Sequence, residues 1–102
     1  MDKTFFDDTW NKILTTTVSQ LSSMAIEITN TGYPMNYILE CIENKVLESK
    51  MTQSQKSKIL MYIGKVERMI TYGSDNYIQL LAVLSYLNGI NKQLNIIEPK
   101  IY

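Results

Sequence analysis

A chain of 102 residues, 45% of them apolar and only six of them glycine or proline, is long enough for one modest core and too apolar for disorder. Ten basic and ten acidic residues cancel, which argues against a general nucleic-acid binder. With no histidine and a single cysteine, Cys41, neither an internal disulfide nor a zinc site is expected, and the chemistry suits a reducing, intracellular setting.

The first predicted helix runs from about Asp7 to Thr29 and lets Phe6, Trp10, Ile13, Leu21, Met24 and Ile28 share a face, with Asp7 or Asp8 at its amino end. Thr15, Thr16 and Thr17 are poor helix formers, because branching at Cβ restricts their rotamers, so a kink or break is expected there. Gly32 closes the helix, and Pro34 suits the first turn of the next, where a missing amide hydrogen is harmless. That second helix runs towards Lys50 with Ile38, Cys41, Ile42 and Leu47 as its stripe and Tyr37 beside it. Thr52 with Gln55 forms a Thr-x-x-Gln capping box, the sharpest boundary in the chain.

The third helix carries Ile59, Ile63, Val66 and Ile70 at spacings of four, three and four, which places them on one stripe. Gly73 supplies the left-handed residue that ends it, and Ser74 or Asp75 offers an oxygen to cap the fourth. In that fourth helix Ile78, Leu81, Leu84 and Leu87 form the inward stripe, widened by Leu80 and Val83. Gly89 loosens its end, the helix resumes through Asn91 to Leu94, and Pro99 forbids continuation. The fold expected is all-α, a single-domain bundle of four main helices over residues 1–102.

Charge is unevenly spread. Residues 1–44 hold two basic and six acidic side chains, residues 45–102 eight basic and four acidic. Such a split either orients neighbouring copies or subunits or is simply a solvated face. No apolar run reaches the length of a membrane span, and the start Met1-Asp2-Lys3 is unlike a secretion signal.

Candidate chemistry is sparse. Gly64-Lys65 matches the end of a phosphate-binding loop, but Ile59 and Val66 stand where that loop needs glycine and a hydroxyl, and no strand precedes it; a small residue that lets two helices approach accounts better for Gly64. The carboxylate pairs Asp7–Asp8 and Glu40–Glu43 fit a helix start and a polar helix face. Cys41 lies on an apolar face with no histidine to activate it, as a small core residue does. Lys45, Lys50, Lys56, Lys58, Lys65 and Arg68, with Tyr62 nearby, form the one basic cluster, without the Arg, Asn and Gln of a recognition helix. No catalytic, metal-binding or cofactor-binding residues are assigned.

Two features point to structure and association instead. Gln79, between Ile78 and Leu80 at the start of an apolar helix, is expected to hold backbone groups of the hinge at Gly73. The fourth helix is apolar on several sides, and Met35, Met51, Met61 and Met69 with seven tyrosines suit adaptable contact surfaces. Core and interface are both open readings of that surplus. Leu80 and Tyr86, off the inward stripe, are the candidate interface positions.

The run from Ile63 to Leu87, centred on Gly73-Ser74-Asp75-Asn76-Tyr77-Ile78-Gln79-Leu80, resembles the C-terminal domain of replication factor C small subunits. That family's hairpin reads as an apolar helix, Gly-x-Asn-Glu, two residues, Gln, an apolar residue and a leucine-rich helix. Gly73, Gln79 and Leu80 fit; Asp75 replaces the usual Asn, Asn76 the usual Glu, and Tyr72 a frequent acidic residue. Gly32, Tyr33 and Thr52 to Gln55 extend the likeness, which covers about residues 24–94 and leaves about residues 1–23 as an extension of the first helix.

The resemblance implies a collar domain through which clamp-loader subunits join, in an assembly that uses ATP to load a sliding clamp onto primed DNA in replication and repair. It implies contacts with the other subunits, indirect contact with clamp and DNA, no membrane, and a nuclear location. ATP and magnesium belong to the family's AAA+ module, whose phosphate loop, acidic magnesium motif and arginine finger are not in this sequence; this chain is expected to hold no cofactor and to catalyse nothing. The rival reading is a small helical regulatory or inhibitor protein that masks a partner.

Overall fold

The computed structural model describes residues 3–71 and 75–92. They form five helices: α1 Lys3–Thr15, α2 Val18–Thr29, α3 Met35–Glu48, α4 Gln53–Thr71 and α5 Asn76–Asn91. All-α is correct; the count differs because the long first helix is two. The threonine run breaks it, with Thr17 in an extended conformation before α2 and the Thr15 hydroxyl donating back to the Asn11 carbonyl at 2.8 Å. Such back-bonding lets the side chain compete with the helical ladder.

The other boundaries follow local chemistry. Gly32 adopts φ 83° after α2, a left-handed geometry that a side chain would strain. Pro34 stands at the N-cap of α3 rather than in its first turn. The capping box forms as read: the Thr52 amide donates to Gln55 Oε1 at 3.0 Å, and the Gln55 amide to Thr52 Oγ1 at 3.1 Å. Asp75 caps α5 by accepting from the Ile78 amide at 2.9 Å. Gly73 and Ser74 lie outside the described residues, as do Leu94 and Pro99. Gly89 does not loosen α5, which runs through it, buried, to Asn91. Nor do Asp7 and Asp8 open α1, which begins at Lys3; Asp7 instead pairs with Lys45 of α3.

α5 is the centre of the bundle. It packs against α1, α2 and α4, while α3 packs on the outside of α4. A helix with three neighbours needs no polar face, which is why α5 is apolar almost all round. That uniformity misleads the stripe assignment: Ile78, expected inward, is 41% exposed, and Leu81 is half-buried, whereas Leu80, Val83, Leu84, Tyr86 and Leu87 are buried. In α4 the stripe holds better, with Ile59, Ile63 and Val66 buried and Tyr62 beside them. In α3 the core takes Ile38, Leu39, Ile42 and Val46, at which register Leu47 points outward, 57% exposed.

Candidate functional site

Two amides are buried in α5. Gln79 is fully buried one turn into the helix, where its backbone N–H donates to the Asp75 carbonyl at 3.1 Å. The hinge it was expected to hold, at Gly73, falls outside the described residues. The second amide, Asn88, carries an arrangement that sequence reasoning missed. Its Nδ2 donates to the carbonyls of Ile13 and Thr16, each at 2.9 Å. One turn on, Asn91 Nδ2 donates to the Leu14 carbonyl at 3.2 Å and Lys92 Nζ to that of Thr16 at 2.6 Å. The last carbonyls of a helix have no partner within it and carry the negative end of its dipole. Here the end of α5 collects those of α1 with two amides and an ammonium. The available signal was an asparagine inside an apolar helix, the feature that singled out Gln79.

Leu80 and Tyr86 do not face outward. Leu80 is 0% and Tyr86 7% exposed, and Tyr86 stacks on Tyr62 with ring centroids 4.9 Å apart. Their apolar surface is consumed within the chain's own core by the three-sided packing of α5. Among the described residues the exposed large apolar side chains lie elsewhere: Val18 and Ile26 on α2, Leu47 on α3, Met61 on α4, Ile78 on α5, and a stacked Tyr33–Tyr37 pair at the start of α3.

The basic cluster is divided. Lys45 turns to Asp7, Lys56 Nζ donates to the Leu47 carbonyl at 3.0 Å, and Tyr62 is buried. Lys58, Lys65 and Arg68, at spacings of seven and three, share one face of α4. Beside them α3 and α4 enclose an open cleft of about 610 Å³ lined by Asn36, Glu40, Glu43, Gly64, Glu67 and Arg68. A hydrogen bond that protonated Glu43 donates to the Glu67 carboxylate, then partial burial, then the charges of Glu67 and Glu40 push the Glu43 carboxyl up to about 7. So Glu43 is not simply solvated.

Gly64 is not at a close helix contact: a Cβ built there meets nothing within 4 Å. It lies within α4, without the loop that holds phosphates. Cys41 is half-buried against the core beside Tyr37, whose phenol it pushes up. Among the described residues no group of His, Cys, Asp or Glu is arranged to hold a metal, and no helix is long and apolar enough to cross a membrane.

Fold and surface together define a small all-helical domain whose polar side chains tie helices to one another. The chain belongs to the replication factor C C-terminal domain family, whose model matches residues 5–86. A relative named as a replication factor C small subunit, from Acanthamoeba polyphaga mimivirus, is 32% identical over 79 residues, covering 76% of this chain and 22% of its own length. The chain thus spans about a fifth of that relative. No solved structure matches significantly.

Proposed function

We propose that this chain is a collar domain of a clamp-loader small subunit, which joins other replication factor C subunits in the ATP-dependent complex that loads the sliding clamp onto primed DNA. The observation that carries the reading is the family match over residues 5–86. Contact with clamp and DNA is then indirect, through the assembled complex, and replication and repair are the processes served. The nucleus is where a cellular clamp loader works, whereas the relative named above is viral. Co-expression with clamp-loader subunits from the same source tests the reading. The chain should co-purify in defined stoichiometry, and a chain that enters no complex with any of them refutes it.

On this reading the domain is not itself an enzyme, and nucleotide belongs to an AAA+ module. Its glycine-lysine pair sits inside a helix, so no run of amides is free to cradle phosphate. Isothermal titration with Mg-ATP should show no saturable binding; binding in the micromolar range would overturn this part of the proposal.

A further inference from the structure

α1 packs on α5 and α3 on the outside of α4, so α1 and α3 flank a groove instead of packing closely on one another. The Asp7–Lys45 ion pair spans it. Two cavities lie in line along this groove. The first, of about 230 Å³, holds Phe6 and Asp7 of α1 opposite Tyr37, Cys41 and Lys45 of α3. The second, of about 390 Å³, holds Trp10 and Leu14 of α1 opposite Ser49 and Met51, with Asn91 of α5 at its rim. Phe6, Trp10 and Leu14 repeat every four residues, so one stripe of α1 runs past both. The floor is apolar: Phe6 and Trp10 are 4% and 8% exposed, and Leu14, Cys41 and Met51 are half-buried against the core.

The described chain ends beside this groove. Asn91 lines the second cavity and its Nδ2 donates to the Leu14 carbonyl at 3.2 Å, while Lys92 Nζ donates to that of Thr16 at 2.6 Å. Residues 93–102 lie outside the described residues and beyond residue 86, where the family match ends. Five of these ten are apolar: Leu94, Ile96, Ile97, Ile101 and Tyr102. From Phe6 to Leu14 the groove runs about 12 Å at 1.5 Å per helical residue. An extended chain covers that distance with about four residues.

We propose that residues 93–102 dock in this groove, laying Leu94, Ile96 and Ile97 over Trp10, Leu14 and Met51 and carrying Ile101 and Tyr102 towards Cys41. The occupant is selected by where the described chain ends, by its reach and by its composition. A partner's segment would have to compete with one held at an effective concentration on the order of millimolar by its own linkage. A nucleic acid would bring phosphates against Asp7 and Glu48, which line the first cavity. The segment therefore closes the groove and reserves it from other apolar chains.

The chain carries one tryptophan and one cysteine, and both line the groove, Trp10 in the second cavity and Cys41 in the first. They report on its two ends in the full chain. Cys41 is reacted with an aromatic disulfide reagent, and Trp10 fluorescence is quenched with acrylamide. Wild type is compared with Ile96→Asp/Ile97→Asp and with Gln93→Asp/Asn95→Asp, which adds the same charge and keeps the apolar residues. Cys41 in Ile96→Asp/Ile97→Asp should react about tenfold faster than in wild type, the protection given by a segment docked about nine-tenths of the time. Its Trp10 should also be quenched more strongly, whereas Gln93→Asp/Asn95→Asp should match wild type at both reporters. Circular dichroism establishes that each variant is folded.

Equal Cys41 rates and equal quenching in wild type and Ile96→Asp/Ile97→Asp overturn the proposal. So does protection that disappears on dilution while sedimentation shows dimers, which assigns the groove to the segment of a second copy. Neither result touches co-purification with clamp-loader subunits, on which the collar reading stands or falls.

Discussion

Replacing Asn88 with alanine isolates the polar tie between α5 and the end of α1. The side chain is fully buried and gives two hydrogen bonds of 2.9 Å, to the carbonyls of Ile13 and Thr16. Thr16 keeps Lys92 as a donor at 2.6 Å, so its loss is about 1 kcal/mol. Ile13 lies in the last turn of α1, and stranding its carbonyl costs about 1–3 kcal/mol. Against this, Asn88 Oδ1 is buried with no partner among the described residues, and removing it returns about 1 kcal/mol. The net loss is about 1–3 kcal/mol, which lowers the melting temperature of a domain this size by roughly 4–24 °C. Thermal melts followed by circular dichroism at 222 nm read this out. Asn88→Asp separates donor from shape, since it is nearly isosteric yet turns a carboxylate on two carbonyl oxygens, and it should melt lower than the alanine variant at neutral pH. A fall of less than about 3 °C for Asn88→Ala, or an aspartate variant more stable than it, refutes the donor role.

Three further outcomes are expected. Gly64→Ala should raise stability by about 0.5–1 kcal/mol in denaturant melts, because the helix gains and the new Cβ has room; a loss would mean that the cleft is tighter than its geometry. Glu43 has a folded-state pKa raised to about 7 from 4.5, so its contribution to stability is complete below 4.5 and is lost as pH rises through 7; melts from pH 5 to 8 should show a falling stability that Glu43→Gln flattens, and equal profiles would refute the Glu67 hydrogen bond. Gln79→Ala, at a fully buried position, should cost about 1–3 kcal/mol, and melts that agree with wild type would place Gln79 outside the core network.

What could be read from the sequence was local. The capping box at Thr52 and Gln55, the close of a helix before Gly32 and the kink or break in the threonine run each depend on residues within a few positions; the box forms, the helix ends ahead of Gly32, and the threonines give a break. The α4 stripe was legible because one side of that helix is apolar and the other charged. α5 offered no such contrast, and its orientation is set by three neighbours distant in sequence; Ile78 and Leu80 exchanged places for that reason. Asn88 stands out as an asparagine inside an apolar helix, but its partners do not, since they lie 75 and 72 residues earlier and nothing near it in the chain announces them. The Glu43–Glu67 contact likewise needs α3 and α4 to be laid side by side before either carboxyl is more than a solvated charge.

The three-sided packing of α5 also constrains how the domain can associate. Had its apolar surplus faced outward, a single greasy helix would suffice to hold a neighbour. Instead the exposed large aliphatic residues among those described, Val18, Ile26, Leu47, Met61 and Ile78, are spread over four helices, and those on α3 and α4 stand among charges. A contact built on isolated apolar anchors within ion pairs resembles the rim of an interface more than its core. Each pairwise contact is then weak and salt-sensitive, because exposed pairs contribute about 1 kcal/mol or less and are screened. On the collar reading, weakness between two domains is no obstacle. Several subunits that close on one another convert each later contact into an intramolecular one, and the assembly holds by multiplicity. A surface of this kind gives geometry and partner choice to an assembly, and leaves the isolated domain close to monomeric unless it is concentrated at low salt.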